Sequence, residues 1–198
     1  MIAEVQLWGR TIGAVLQEEG RHVATFQYDP AFAQSGIEIS PLMMPLGKQV
    51  YEFPELPRAA FHGLPGLLAD SLPDKFGNDL INAWLATQGR SQESFSSVER
   101  LCYTGTRGMG ALEFAPILGP KQSKSVKIEI DSLVRLASQV LTHRNDLKGN
   151  FAGAAKKKAL EEILQVGTSA GGARAKAVIA WNRITNEVRS GQITAGDG

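Results

Sequence analysis

The sequence predicts an α+β chain: an amino-terminal β-rich subdomain with helices, then a helix, a glycine-rich loop and a β-hairpin. Three features point to it. Apolar and polar residues alternate with period two over much of residues 2–28, the mark of half-buried antiparallel strands. From about residue 63 the apolar spacing changes to the i, i+3, i+4 stripe of helices that bury one face. Near the carboxy end, every residue from Gly167 to Ala173 is small, and the apolar run Ala177-Val178-Ile179-Ala180-Trp181 follows soon after.

Taken in order, the first elements are a three-strand meander. Val5 and Leu7 alternate with Glu4 and Gln6, and Gly9-Arg10 marks a turn. Gly13 to Leu16 forms the second strand, Glu18-Glu19-Gly20 turns it, and His22 to Tyr28 forms the third. Asp29-Pro30 ends the meander because proline removes a backbone donor. A short helical turn is expected at Ala31–Gln34, and a strand where Ile37 and Ile39 alternate with Glu38 and Ser40. The Pro- and Met-rich stretch 41–57 has room for one more strand at Gln49–Phe53.

A short helix and a break follow around Leu64–Leu72. Ser71 is the expected cap of the next helix, with Pro73 and Asp74 in its first turn. That helix carries Phe76, Leu80 and Trp84 at i, i+4, i+8, with Ile81 and Ala83 beside them, and ends at Gly89. The stripe reads as core packing. A further helix is expected from Gln92 to Leu101, then Thr104-Gly105-Thr106-Arg107-Gly108-Met109-Gly110 and a strand at Ala111–Phe114. That loop reads mainly as a tight turn, with phosphate contact through Arg107 as the lesser alternative. Residues 119–125 have linker composition. The expected domains are 1–118, a linker at 119–130, and 131–198. Asp131 suits the cap of a helix carrying Leu133, Leu136, Ala137, Val140 and Leu141. Lys156-Lys157-Lys158 opens another helix and reads as a solvated face. Past the small-residue loop, a strand is expected over 176–183, a turn at Ile184-Thr185-Asn186 and a return strand at Glu187–Arg189.

Composition narrows the possible functions. The 198 residues carry 21 Lys or Arg and 20 Asp or Glu, a net charge of +1. Such balance gives no bulk attraction to nucleic acid or an anionic membrane. The single cysteine, Cys102, excludes an internal disulfide and a multi-cysteine metal site. It reads as a small buried apolar group in Leu101-Cys102-Tyr103. The three histidines show no ligand spacing, and no metal site is expected. The sequence opens without a basic-then-apolar leader, and its apolar runs fall far short of the roughly 20 residues of a membrane span. A reducing cytoplasmic setting is therefore the expectation, with no membrane partner.

The loop Ser169-Ala170-Gly171-Gly172-Ala173-Arg174-Ala175-Lys176 carries the chemistry. Small residues let a backbone come close to a ligand, and successive N–H groups in such a turn make a concave anion site. Arg174 and Lys176 add positive charge beside it. A loop over nucleotide phosphates is one reading; a flexible helix-to-strand connection is the other. The Walker pattern is absent because Ala173-Arg174 follows Gly172 where Lys-Ser/Thr is required. The dinucleotide pattern runs strand, loop, helix, the reverse of the order expected here. A glycine-rich loop feeding a hairpin is closer to the arrangement that covers ATP in protein kinases.

The combination resembles the HipA family, the serine/threonine-kinase toxins of bacterial type II toxin–antitoxin systems. The resemblance rests on three stretches. They are Val5-Gln6-Leu7-Trp8-Gly9-Arg10-Thr11-Ile12-Gly13; Leu67-Leu68-Ala69-Asp70-Ser71-Leu72-Pro73-Asp74 with Gly108-Met109-Gly110-Ala111-Leu112 downstream; and Ser169 to Lys176. It implies that residues 131–198 begin a kinase-like nucleotide lobe. It implies that Ala170, Gly171, Gly172, Ala173, Arg174, Ala175 and Lys176 cover the ATP phosphates, and that Ser169 is the regulatory autophosphorylated serine. Phosphate on Ser169 would bring about −1.5 to −2 charge to where nucleotide phosphates would lie. The implied partners are a small DNA-binding antitoxin (HipB-like), through it operator DNA, and a carboxy-terminal kinase lobe.

A kinase also needs a phosphate-holding lysine on a further strand, a catalytic acid and an acid for Mg²⁺. After Lys176 the only acids are Glu187 and Asp197. No catalytic residue is assigned for that reason. ATP and Mg²⁺ are expected only in the complete enzyme, and the chain is expected to be a truncated portion, inactive alone. The competing expectation is a non-catalytic module that binds an antitoxin or a separate kinase lobe. A weaker third is a small-molecule enzyme built on the Gly105–Gly110 loop.

Overall fold

The two-residue period of the first 28 residues becomes β1 (Ile2–Leu7), β2 (Arg10–Leu16) and β3 (Thr25–Tyr28). The computed structural model describes residues 1–108, 110–119, 130–131, 134–135, 137–138 and 179–190. Within β1, Ala3, Val5 and Leu7 are buried and the residues between them are not, as the alternation requires. Trp8 and Gly9 form the two-residue connection to β2, both at positive φ (+51° and +73°). That turn matches the natural twist of a hairpin. Trp8 occupies it without burying its ring, which is 80% exposed.

The chain divides into two compact units, Met1–Leu72 with Phe95–Gly119, and Pro73–Ser94 with Pro120–Gly198. The first unit holds a five-stranded antiparallel sheet in the order β4-β3-β2-β1-β5, with β4 at Val50–Tyr51 and β5 at Leu112–Ala115. A register shift between Val5 and Gln6 leaves Ile12 as an extra buried residue beside Gly13. Gly13 must lack a side chain. A Cβ there would lie 2.7 Å from the Phe26 ring and would also strike the Gln27 carbonyl.

The inner face of the sheet packs Val5, Val15, Phe26 and Phe114 against Leu64, Leu68, Val98, Leu101 and Cys102. These helical residues come from α2 (Gly66–Ala69), the turn before it, and α4 (Ser97–Thr104). Tyr28 is buried near one edge, edge-on to Phe26 at 5.0 Å and stacked on Phe32 at 5.9 Å. Its hydroxyl donates to the Met44 carbonyl at 2.8 Å. Burial pushes that phenol up to about 12, with Tyr51 and Glu38 adding to the shift. The Tyr51 hydroxyl donates to the Pro45 carbonyl, so two tyrosines hold the Pro41–Pro45 turn from below.

Several expected elements move or vanish. Residues 37–40 form no strand, and the place beside β3 is taken by β4. The strand expected at Gln49–Phe53 shrinks to two residues. A four-residue helix, α1 (Arg58–Phe61), appears where none was expected. It ends on His62 and Gly63, both at positive φ, and the Gly63 carbonyl accepts from Ala24 N–H at 2.8 Å.

The helix α3 (Lys75–Thr87) is capped by Asp74, whose carboxylate accepts from Gly77 N–H at 2.7 Å, and not by Ser71. Pro73 has no N–H to be capped, so the first useful acceptor is the acid that follows it. On α3, Phe76, Leu80, Ile81, Ala83 and Leu85 are buried and Trp84 only partly so. The helix expected at 92–101 is instead a 3-10 turn at Gln92–Ser94 followed by α4. In α4, Ser96 accepts from Glu99 N–H at 3.2 Å while the Glu99 carboxylate accepts from Ser96 N–H at 2.7 Å. That reciprocal pair is a capping box.

In the second unit, the described residues between 130 and 138 are helical. β6 (Ile179–Asn182) and β7 (Glu187–Ser190) form an antiparallel hairpin. The linker residues after Gly119, the helices expected between 139 and 166, and the loop 167–176 lie outside the described residues. No described helix is long and apolar enough to cross a membrane.

Candidate functional site

Ser169, Ala170, Gly171, Gly172, Ala173, Arg174, Ala175 and Lys176 all lie outside the described residues. What is described is the hairpin just beyond them. Its turn is set by Asn182, whose Oδ1 accepts from the backbone N–H groups of Ile184 and Thr185 at 2.9 and 3.2 Å. Asn186, at φ +55°, brings the chain back and accepts from the Trp181 indole N–H at 3.0 Å. Arg183 lies over the Trp181 ring at 5.6 Å. Pairing of Trp181 with Val188 and of Ile179 with Ser190 puts Ile179, Trp181 and Val188 on one face. Ile179 and Trp181 are about half exposed (45% and 55%), and Ile184 at the tip is 96% exposed.

The second glycine-rich loop, after α4, is held at Gly105 and Arg107 by contacts within the first unit. Gly105 ends α4 at φ +55°, its N–H donating to the Leu101 carbonyl at 2.8 Å. Its own carbonyl accepts from Phe114 N–H in β5 at 3.2 Å. Arg107 turns inward and is 1% exposed. Its guanidinium donates to the Tyr103 carbonyl and lies over the Tyr103 ring at 5.0 Å. Gly119 closes over it, since a Cβ at that position would strike Arg107 Nη2. Burial pulls the guanidinium's pKa down, and Tyr103 opposes that. The one cation of this loop is thus committed to holding the β5 connection against α4. The small-molecule enzyme expected there loses its only charged recognition group.

The structure adds a feature the sequence reading missed. The Pro- and Met-rich stretch and the two short helices enclose a cavity of about 200 Å³. Met43, Met44, Phe53, Leu56, Phe61 and Leu67 line it, with Ser40 and Gly66. None of these side chains titrates, so the cavity suits an apolar group and supplies no acid, base or charged phosphate ligand. Among the described residues no group of three or more His, Cys, Asp or Glu is assembled that could hold a metal ion. The available signal was compositional: Met at 43 and 44 in a stretch too irregular for a strand.

The five-stranded sheet and its two packing helices coincide with a known family. The family model described as HipA N-terminal domain matches residues 3–115, more than half of the chain, and ends at the last residue of β5. A search of the curated proteins finds no match.

Proposed function

The chain belongs to the HipA N-terminal domain family, and from that premise we propose that it is the amino-terminal part of a HipA-type serine/threonine protein kinase toxin. In this reading Ala170 to Lys176 cover the phosphates of ATP, and Ser169 is the serine whose phosphorylation closes the site. The observation that carries it is the family match over the whole five-stranded sheet. The hairpin β6–β7 supports it, because a strand follows the small-residue loop, the order closer to the protein-kinase arrangement. ATP and Mg²⁺ act only with a carboxy-terminal lobe that brings the catalytic and metal-binding acids. The partners are a small DNA-binding antitoxin and that lobe, with operator DNA reached through the antitoxin. A non-catalytic docking role is the second reading, and the half-exposed Ile179 and Trp181 favour it.

Phosphate transfer from radiolabelled ATP, with and without a separately expressed carboxy-terminal kinase lobe, distinguishes the two. The expected result is no transfer by the chain alone and transfer on mixing. Lys176→Ala should reduce it at least about tenfold, the scale of one lost charge-assisted contact, and Gly171→Val should reduce it by placing a branched side chain where the backbone has to approach the phosphates. Ser169→Asp should weaken nucleotide binding by like-charge repulsion. Turnover by the chain alone overturns the incomplete site. Tight lobe binding without any nucleotide effect of the loop variants leaves the docking role in its place.

A further inference from the structure

The outer face of the five-stranded sheet carries a groove that the nucleotide reading does not use. Pairing sets Ala115, Glu4, Ala14 and Gln27 side by side across β5, β1, β2 and β3. Their chain neighbours Val5, Val15, Phe26 and Phe114 are buried in the core, so this row faces away from it. At about 4.8 Å between strands the row runs about 14 Å, the reach of four extended residues. The groove has a volume of about 710 Å³. Ala14 and Ala115 keep its floor low, and Ile2, Pro30 and Pro116 are among its walls.

Its charge is one-sided. The lining contains two carboxylates, Glu4 and Asp29, and no Lys, Arg or His. Glu4 Oε1 accepts from Gln6 Nε2 at 2.8 Å and from the Thr11 hydroxyl. Those donors favour the ionised form and hold the carboxyl below its ordinary value, Thr11 first and Gln6 second. Asp29 Oδ1 is taken by the N–H groups of Ala31 at 2.9 Å and Phe32 at 3.1 Å. Each carboxylate is thereby oriented through one oxygen and keeps its other for a donor from outside. A small-residue floor beside oriented carboxylates matches a side chain with an aliphatic stem and a cationic head.

We propose that this groove on the outer face of the sheet binds an extended basic segment of a partner polypeptide, with an arginine stem lying on Ala14 and Ala115 and its guanidinium on Glu4. Asp29 receives a second cation or the same one from the other side. The contact is independent of the nucleotide loop and of any phosphate transfer.

Nuclear magnetic resonance titration of the full chain with an acetylated Ala-Arg-Ala-Arg-Ala amide tests it. The expected result is saturable shifts centred on residues 4, 14, 27 and 115, weakened at least about tenfold by Glu4→Gln and reduced by added salt. Ala14→Arg, which puts a resident cation on the floor, should abolish them. Thermal melts check that both variants stay folded. Citrulline in place of arginine should remove binding. Equal binding of the citrulline peptide, an unaffected Glu4→Gln variant, or shifts centred elsewhere would each overturn the proposal. Free arginine amide binding as tightly as the peptide would overturn its polypeptide part.

Discussion

Cys102 sits on the buried side of α4, and burial pushes its thiol up to about 11, with Glu99 adding to the shift. The neutral thiol is the form the fold accepts. The stabilisation is fully present below the ordinary value of 9.0 and is lost as pH rises through the folded value. Tyr28, raised to about 12, extends the same trend from its ordinary 10.0 upward. Urea unfolding should therefore show stability level below the ordinary thiol value of 9.0 and falling from there toward about 11, with a shallower fall for Cys102→Ala. A slope unchanged by that variant would contradict the assignment. The burial of Cys102 was legible in Leu101-Cys102-Tyr103, because a lone cysteine between apolar residues behaves as a small hydrophobe. The inward turn of Arg107 was not. Glycines on both sides of a cation describe a turn into a strand and a loop around an anion equally well. Only the Tyr103 ring and carbonyl, positioned by α4, decide which way the guanidinium points.

Helices α3 and α4 owe their starts to single side chains. Ser96→Ala should cost about 1 kcal/mol, because the hydroxyl that accepts from Glu99 N–H is lost while the backbone N–H of residue 96 keeps its bond to the Glu99 carboxylate. Asp74→Ala should cost a similar amount through the loss of the bond to Gly77 N–H. Denaturant midpoints of the two variants check both. The Ser-x-x-Glu pattern at Ser96 and Glu99 was readable in the sequence. Gln92 and Glu93 are themselves good helix formers, so local propensity does not mark the helix start at that cap. The break at 95 accompanies the burial of Phe95, edge-on to Tyr103 at 6.3 Å, a contact between turns that no local propensity encodes. The same limit explains residues 37–40. Alternation marks a segment able to form a strand, and tertiary context decides whether it pairs.

At the scale of the molecule, protection should follow the sheet of the first unit. Amide hydrogen exchange should be slowest in β1, β2, β3 and β5, whose inner residues Val5, Val15, Phe26 and Phe114 are essentially sealed from water. The hairpin β6–β7 should exchange faster, since Ile179 and Trp181 remain half exposed. Equal protection in both would overturn this ranking. Docking of a separate lobe on that hairpin, the second functional reading, should slow its exchange selectively.

Local chemistry was enough for the three amino-terminal strands, the turn at Gly9, the switch to helices, the buried cysteine and the family resemblance carried by short stretches. Each depends on residues close in sequence, where periodicity and backbone preference act directly. Tertiary structure alone decided that β5 joins the sheet beside β1 from about a hundred residues away. It also decided that Arg107 is a buried clamp, and that Glu4, Ala14, Gln27 and Ala115 share one groove. Those outcomes depend on which distant surfaces meet, and strand order and register are set when apolar faces bury each other.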